Sequence, residues 1–179
     1  ATFRDAAANA DAVITSGGVS VGEADHTKQV MAGLGDVLFW RIAMRPGRPM
    51  AIGRIESGGG TRDAILFGLP GNPVSSFVSF EVFVRPALRR LMRLTPEKRR
   101  PRPATLISGV ESFAGRRQFG RAVVSRSAEG TLVAAPVAGQ GSHFVADLSR
   151  ANALFVVPED VTELVAGDVV DVLVLDKDA

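Results

Sequence analysis

The chain has 179 residues and is 46% hydrophobic, enough for one medium domain or two small ones with real cores. The absence of cysteine excludes disulfides and thiolate metal sites, and two histidines, His26 and His143, are too few for a histidine-based zinc site without carboxylates. Net charge is only +2, tyrosine is absent, and no apolar run reaches bilayer length, so a soluble cytoplasmic protein with neither a nucleic-acid nor a membrane partner is expected.

Residues 2–10 are alanine-rich and read as the tail of a helix that leads to a short buried strand over 11–15. The stretch Thr15-Ser16-Gly17-Gly18-Val19-Ser20-Val21-Gly22-Glu23-Ala24-Asp25 follows. Residues 25–34 read as a helix with Val30, Met31 and Leu34 on one face, ended by Gly33 and Gly35. Asp25 suits the N-cap of that helix, a role compatible with metal binding. Residues 37–43 and 50–55 read as a hairpin-like pair of strands around the turn Met44-Arg45-Pro46-Gly47-Arg48-Pro49.

A short strand over 64–67 then feeds Gly68-Leu69-Pro70-Gly71-Asn72-Pro73. Asn72 is a good N-cap and Pro73 suits the first helical position. The helix is predicted to run to about residue 91, burying Val74, Phe77, Val78, Phe80, Val84 and Leu88, with a kink or break at Pro86. The charged, proline-rich residues 95–103 mark a domain boundary, and divide the chain into domains at 1–98 and 99–179. Beyond it, strands over 104–108, 119–126, 131–136, 153–157 and 169–175 predict a small antiparallel β domain. The arginines of 85–102 and 116–126 read as solvated surface, and the phenylalanines, with apolar neighbours, as core.

Two strand–loop–helix turns are expected to meet at the carboxyl edge of one sheet, where open α/β folds bind ligands. Glycine lets backbone N–H groups converge on an anion, and the hydroxyls of Ser16 and Ser20 add donors. Glu23 and Asp25 would repel a phosphate unless a cation sat between them. Arg41, Arg45 and Arg48 present planar forks suited to tetrahedral oxyanions, although an exposed strand arginine is more often plain surface. Residue chemistry alone therefore reaches a phosphate-binding α/β domain, with a divalent metal at the edge of its site, followed by a β domain.

The first glycine string, then Arg45-Pro46-Gly47-Arg48-Pro49, then Gly68-Leu69-Pro70-Gly71-Asn72-Pro73-Val74-Ser75, resembles the molybdopterin molybdenumtransferase (MoeA) family, which is similar to the E domain of gephyrin. Gly115-Arg116, Phe119, Arg121, Gln140-Gly141-Ser142 and Ala166-Gly167-Asp168 resemble the family's C-terminal β domain. The resemblance covers nearly the whole chain but only part of the family's architecture, which implies a C-terminal fragment of a longer homodimeric protein. The implied fold is α/β: part of a MogA-like, three-layer molybdopterin-binding domain, followed by a small β-barrel-like domain.

The implied reaction is insertion of molybdate into adenylylated molybdopterin with release of AMP, dependent on Mg²⁺. By resemblance, Asp25 is the catalytic or metal-binding loop aspartate, and Arg41 and Arg45 stand where some bacterial members carry lysines. Gly17, Gly18 and Gly22, with Ser16 and Ser20, are expected to hold phosphate, with Arg48 helping to receive molybdate. Pro70, Gly71, Asn72 and Pro73 shape the second loop, and Ser142 reaches the ligand from the β domain. Two rival readings are a molybdopterin adenylyltransferase and a non-catalytic ligand- or peptide-binding module of the gephyrin E type. The attached β domain and the Pro-Gly-Arg-Pro turn argue against the first.

Overall fold

The structure, a computed structural model, describes residues 2–17, 30, 33, 35–56, 62–137 and 145–175. In chain order its first elements are α1 (Thr2–Asn9), β1 (Ala12–Ser16), β2 (Val37–Arg41), β3 (Met44–Arg45), β4 (Pro49–Ile55) and β5 (Ala64–Leu69). Next come α2 (Pro73–Ser79), a π-helical segment (Phe80–Val84) and α3 (Arg85–Leu91). The remainder is β6 (Arg102–Leu106), β7 (Val110–Glu111), β8 (Arg117–Arg126), β9 (Leu132–Pro136), α4 (Val145–Arg150), β10 (Ala153–Val157), β11 (Glu163–Leu164) and β12 (Val169–Val174). Two compact units divide the chain: Ala1–Ile42 with Gly47–Leu94, and Ala43–Pro46 with Thr95–Ala179.

In the first unit, four strands form a sheet in the order β1-β5-β4-β2. The β1–β5 pair is parallel, and β5–β4 and β4–β2 are antiparallel, so the predicted hairpin-like pair is β2 with β4. Alternation along the strands sends side chains to two faces. On one face Val13, Ala51, Ile55, Ala64 and Leu66 bury against Ala7 of α1. On the other, Met50, Phe67 and Leu69 bury against Val84 and its helical neighbours. Helix, sheet and helix make the three layers. Burying a side chain such as Phe67 contributes about 1.5–3 kcal/mol.

Two local expectations need correction. β1 is not a buried strand: only Val13 is buried, and Ile14 is 43% exposed, because β1 is an outer strand of the described sheet. Of the kink or break expected at Pro86, the break is not found. The chain widens to π-type hydrogen bonding over Phe80–Val84, and Pro86 stands in the first turn of α3. Proline lacks an N–H and crowds the carbonyl four residues back, and a π turn just upstream relieves both problems without ending the helix.

Asn72 caps α2 as expected: its Oδ1 accepts from the N–H groups of Val74 at 3.1 Å and Ser75 at 3.2 Å. Asn72→Ala should therefore cost about 1 kcal/mol of stability, read as a lower urea midpoint with an unchanged m-value.

In the second unit, β10, β12, β6, β9 and β8 pair in sequence, and β10 pairs back onto β8 to close a barrel. The wall is not wholly antiparallel, since β6 and β9 run parallel. Its core comprises Ala104, Leu106, Ala122, Ala134, Ala153, Phe155, Val157, Val170 and Val172. At Gly120 the Phe155 ring passes so close that an added Cβ would lie 2.0 Å from it. Outside the barrel, β7 and β11 form a two-stranded ribbon, and β3 pairs in parallel with the start of β8.

The surface reading of the basic clusters fails at Arg121, which is 1% exposed. Its position in β8 lies opposite Leu154 of β10, itself fully buried, and α4 packs against β8. The core reading of the phenylalanines fails at Phe39 and Phe113, which are exposed because β2 is an outer strand and Phe113 lies on the short connection between β7 and β8. Among the described residues, no helix is long and apolar enough to cross a membrane.

Candidate functional site at the ends of the parallel strands

Because β1 and β5 are parallel neighbours, they end on the same edge of the sheet, with Ser16 opposite Leu69. The loops that leave them are joined backbone to backbone. The Gly17 N–H donates to the Leu69 carbonyl at 2.9 Å, and the Ser16 hydroxyl donates to the Pro70 carbonyl at 3.3 Å. A Cβ added to Gly71 would lie 3.4 Å from the Gly17 Cα, so the loops meet where neither carries a side chain. Gly17 has φ +93°, a conformation costly for any residue with a Cβ. The predicted meeting of two loops at one sheet edge is thus found for Ser16, Gly17, Pro70 and Gly71, with Asn72 and Pro73 continuing the second loop into α2.

The cap limits what the second loop offers. Asn72 Oδ1 is committed to two N–H groups of α2, which leaves its Nδ2 as the part of the side chain that the cap does not use. Thr15 was passed over in the sequence reading. Its Oγ1 is buried and, among the described residues, has no hydrogen-bond partner, one step before Ser16 at the same strand end. Strand alternation was the available signal, because it turns Thr15 away from Ile14 and Ser16 toward the opposite face.

The arginines fall into two groups. Arg41 ends β2 opposite Pro49, and the Ile42 N–H donates to the Arg48 carbonyl at 2.8 Å, so both arginines, exposed and of the first unit, flank a closed turn. The Ser79 hydroxyl donates to the Gly47 carbonyl of that turn at 3.5 Å. Arg45 belongs to the second unit, where β3 pairs with Arg117 and Gln118. Its guanidinium carbon lies 4.2 Å from the centroid of the Phe113 ring.

The connection that carries Phe113 is anchored at several points. The Ser112 N–H donates to the Thr162 carbonyl and the Gly115 N–H to the Glu159 carbonyl, each at 2.8 Å. Arg117 and Glu159 form an exposed ion pair at 3.1 Å. A backbone hydrogen bond, then the hydrogen bond from Arg117, holds the Glu159 carboxyl below the ordinary carboxylate range. Its small stabilisation is present above the unfolded-state value and is lost as pH falls through the lowered one.

Gly18, Ser20, Gly22, Glu23, Asp25, His26, Ser142 and His143 lie outside the described residues, as does the helix read over 25–34 apart from Val30 and Gly33. Among the described residues, no group of three His, Asp or Glu side chains is placed to hold a metal ion.

Comparison with known proteins supplies the family. Residues 1–90 match the probable molybdopterin binding domain, and residues 103–175 match the MoeA C-terminal region, domain IV. The chain belongs to the MoeA family. The molybdopterin molybdenumtransferase of Haemophilus influenzae is 37% identical over 171 residues, which are 95% of this chain and 41% of that protein. Molybdopterin molybdenumtransferase 2 of Mycobacterium tuberculosis is 42% identical over 167 residues, 90% of this chain and 39% of that protein. The chain therefore spans about two fifths of the length of these curated relatives. The crystal structure of a molybdopterin biosynthesis MoeA protein from Pyrococcus horikoshii matches with a TM-score of 0.70. That match covers 97% of this chain and 37% of the other at 24% identity, and shows the shared fold. Both expected halves, a MogA-like α/β domain and a C-terminal β barrel, are present.

Proposed function

We propose that this chain is the chemical core of a molybdopterin molybdenumtransferase, which inserts molybdate into adenylylated molybdopterin and releases AMP. The observation that carries this reading is the backbone junction of the Ser16–Gly17 and Leu69–Gly71 loops at the carboxyl ends of two parallel strands. Such an edge presents amides and hydroxyls to a ligand, and the names of the relatives supply its chemical class.

In this reading the amides of Gly18 and Gly22, with the hydroxyl of Ser20, hold phosphate oxygens. The expected donors on Gly17 and Ser16 are instead spent on the Leu69 and Pro70 carbonyls, so these two residues shape the loop. Pro70, Gly71, Asn72 and Pro73 shape the opposing loop, and Ser142 reaches the ligand from the β domain. Arg41, Arg45 and Arg48, carried on one short stretch of chain, receive molybdate. Asp25 would hold Mg²⁺, whose chemistry is to neutralise charge on the phosphoanhydride that breaks. The working protein is a cytoplasmic homodimer.

The test is AMP release from adenylylated molybdopterin by the full-length protein and by this chain. Release that requires both molybdate and Mg²⁺ supports the reading. Release by the parent alone assigns part of the site to the additional sequence or to a partner protomer. Ligand that is bound tightly but recovered intact from both overturns the reading in favour of a binding module.

A further inference from the structure

We propose that Phe113 is a positioning residue that holds the Arg45 guanidinium ready for an oxyanion. This rests on the reading of Arg45 as a molybdate ligand. Phe113 is 54% exposed, unusual for a phenylalanine, and its ring lies 4.2 Å from the guanidinium carbon. The contact lies wholly within the second unit, and both sides of it are built. Arg45 is fixed along its backbone by the β3–β8 pairing, with the Arg117 N–H donating to the Ala43 carbonyl at 3.0 Å. Phe113 is fixed by the Ser112 and Gly115 hydrogen bonds that flank it.

The choice of an aromatic partner has a chemical consequence. A carboxylate would hold arginine by occupying its N–H donors and cancelling its charge. An aromatic face holds the cation through the ring quadrupole, and the N–H groups stay available around the guanidinium plane. Among the described residues, no carboxylate pairs with Arg45. The side chain is thus restrained yet keeps its charge and donors for a planar, two-point grip on a tetrahedral oxyanion. A barrel-unit residue outside the glycine loops thereby tunes affinity for the anion.

The probe is molybdate itself, titrated into the full-length protein by calorimetry, with KM for molybdate and kcat of AMP release measured in parallel. Phe113→Leu should weaken molybdate binding and raise its KM about two- to fivefold, with kcat and Tm unchanged. Phe113→Trp, which offers a better cation-binding face, should restore or tighten binding. In Arg45→Gln, adding Phe113→Leu should change nothing further. Equal molybdate affinities for the Leu, Trp and parent proteins, beside a clear loss in Arg45→Gln, overturn the role of Phe113 alone. No loss in Arg45→Gln overturns the assignment of Arg45 and the present inference with it.

Discussion

Gly120→Val should lower the melting temperature of the barrel by roughly 12 °C or more. The Cβ alone would lie 2.0, 2.3 and 2.6 Å from three carbons of the Phe155 ring, inside any attainable contact distance. The ring cannot move outward, because Phe155 is fully buried among Ala122, Ala153, Val157 and Val172. β8 cannot retreat either, since its residues pair with both β9 and β10. Forcing a side chain into such a core costs typically 1–3 kcal/mol, and the upper end applies where neither partner yields. For a unit of this size each kcal/mol moves the midpoint by about 4 °C or more.

The cause can be separated from a loss of β-strand geometry at the same position. Phe155→Ala alone should cost about 3–5 kcal/mol through the cavity it leaves. Combined with Gly120→Val, it should cost clearly less than the two single changes added together, because the valine fills space the ring vacates. Additive losses, followed by circular dichroism, would place the fault in the backbone and not in the ring. Trp40, the single tryptophan, lies in the first unit, so its fluorescence reports that unit separately from the barrel.

What the sequence revealed and what it hid follow the range of the forces involved. The glycine and proline turns, the Asn72–Pro73 helix start and the period-2 strands depend on neighbours in sequence, and each was readable. The junction of the two loops was also legible, because parallel strands must end on one edge. Burial of Arg121 was not, since it depends on Leu154 and α4, which pack from later in the chain. The parallel β6–β9 pairing was hidden for the same reason: closing a barrel is a long-range solution to unpaired edges. Phe113 had the composition of a core residue, and its contact with Arg45 arises only because β3 joins β8. The Phe80–Val84 π segment was not legible, because the rule for an internal proline, that it kinks or breaks a helix, does not say that the turn upstream widens.

If the chain takes part in the proposed reaction with Asp25 as its metal-holding carboxylate, Asp25→Asn is expected to reduce Mg²⁺-dependent AMP release by about a hundredfold or more while leaving the fold intact. Asp25 lies outside the described residues, and the prediction stands on the chemistry of the substitution. Aspartate at that place in the chain has two possible duties, capping a helix and carrying charge. Asparagine is as good an N-cap as aspartate and nearly identical in size, so a cap survives the change. Only the negative charge is removed. A bound divalent ion contributes several kcal/mol of charge stabilisation to phosphoryl chemistry, and each 1.36 kcal/mol is tenfold in rate. The variant should therefore keep its melting temperature and its affinity for adenylylated molybdopterin, lose turnover, and recover little of it when Mg²⁺ is raised. Asp25→Ala supplies the contrast, since it removes cap and charge together and should also lower stability by about 1 kcal/mol. Parental turnover in Asp25→Asn would reduce Asp25 to a cap and move the search for the metal-holding carboxylate to Glu23, two residues upstream.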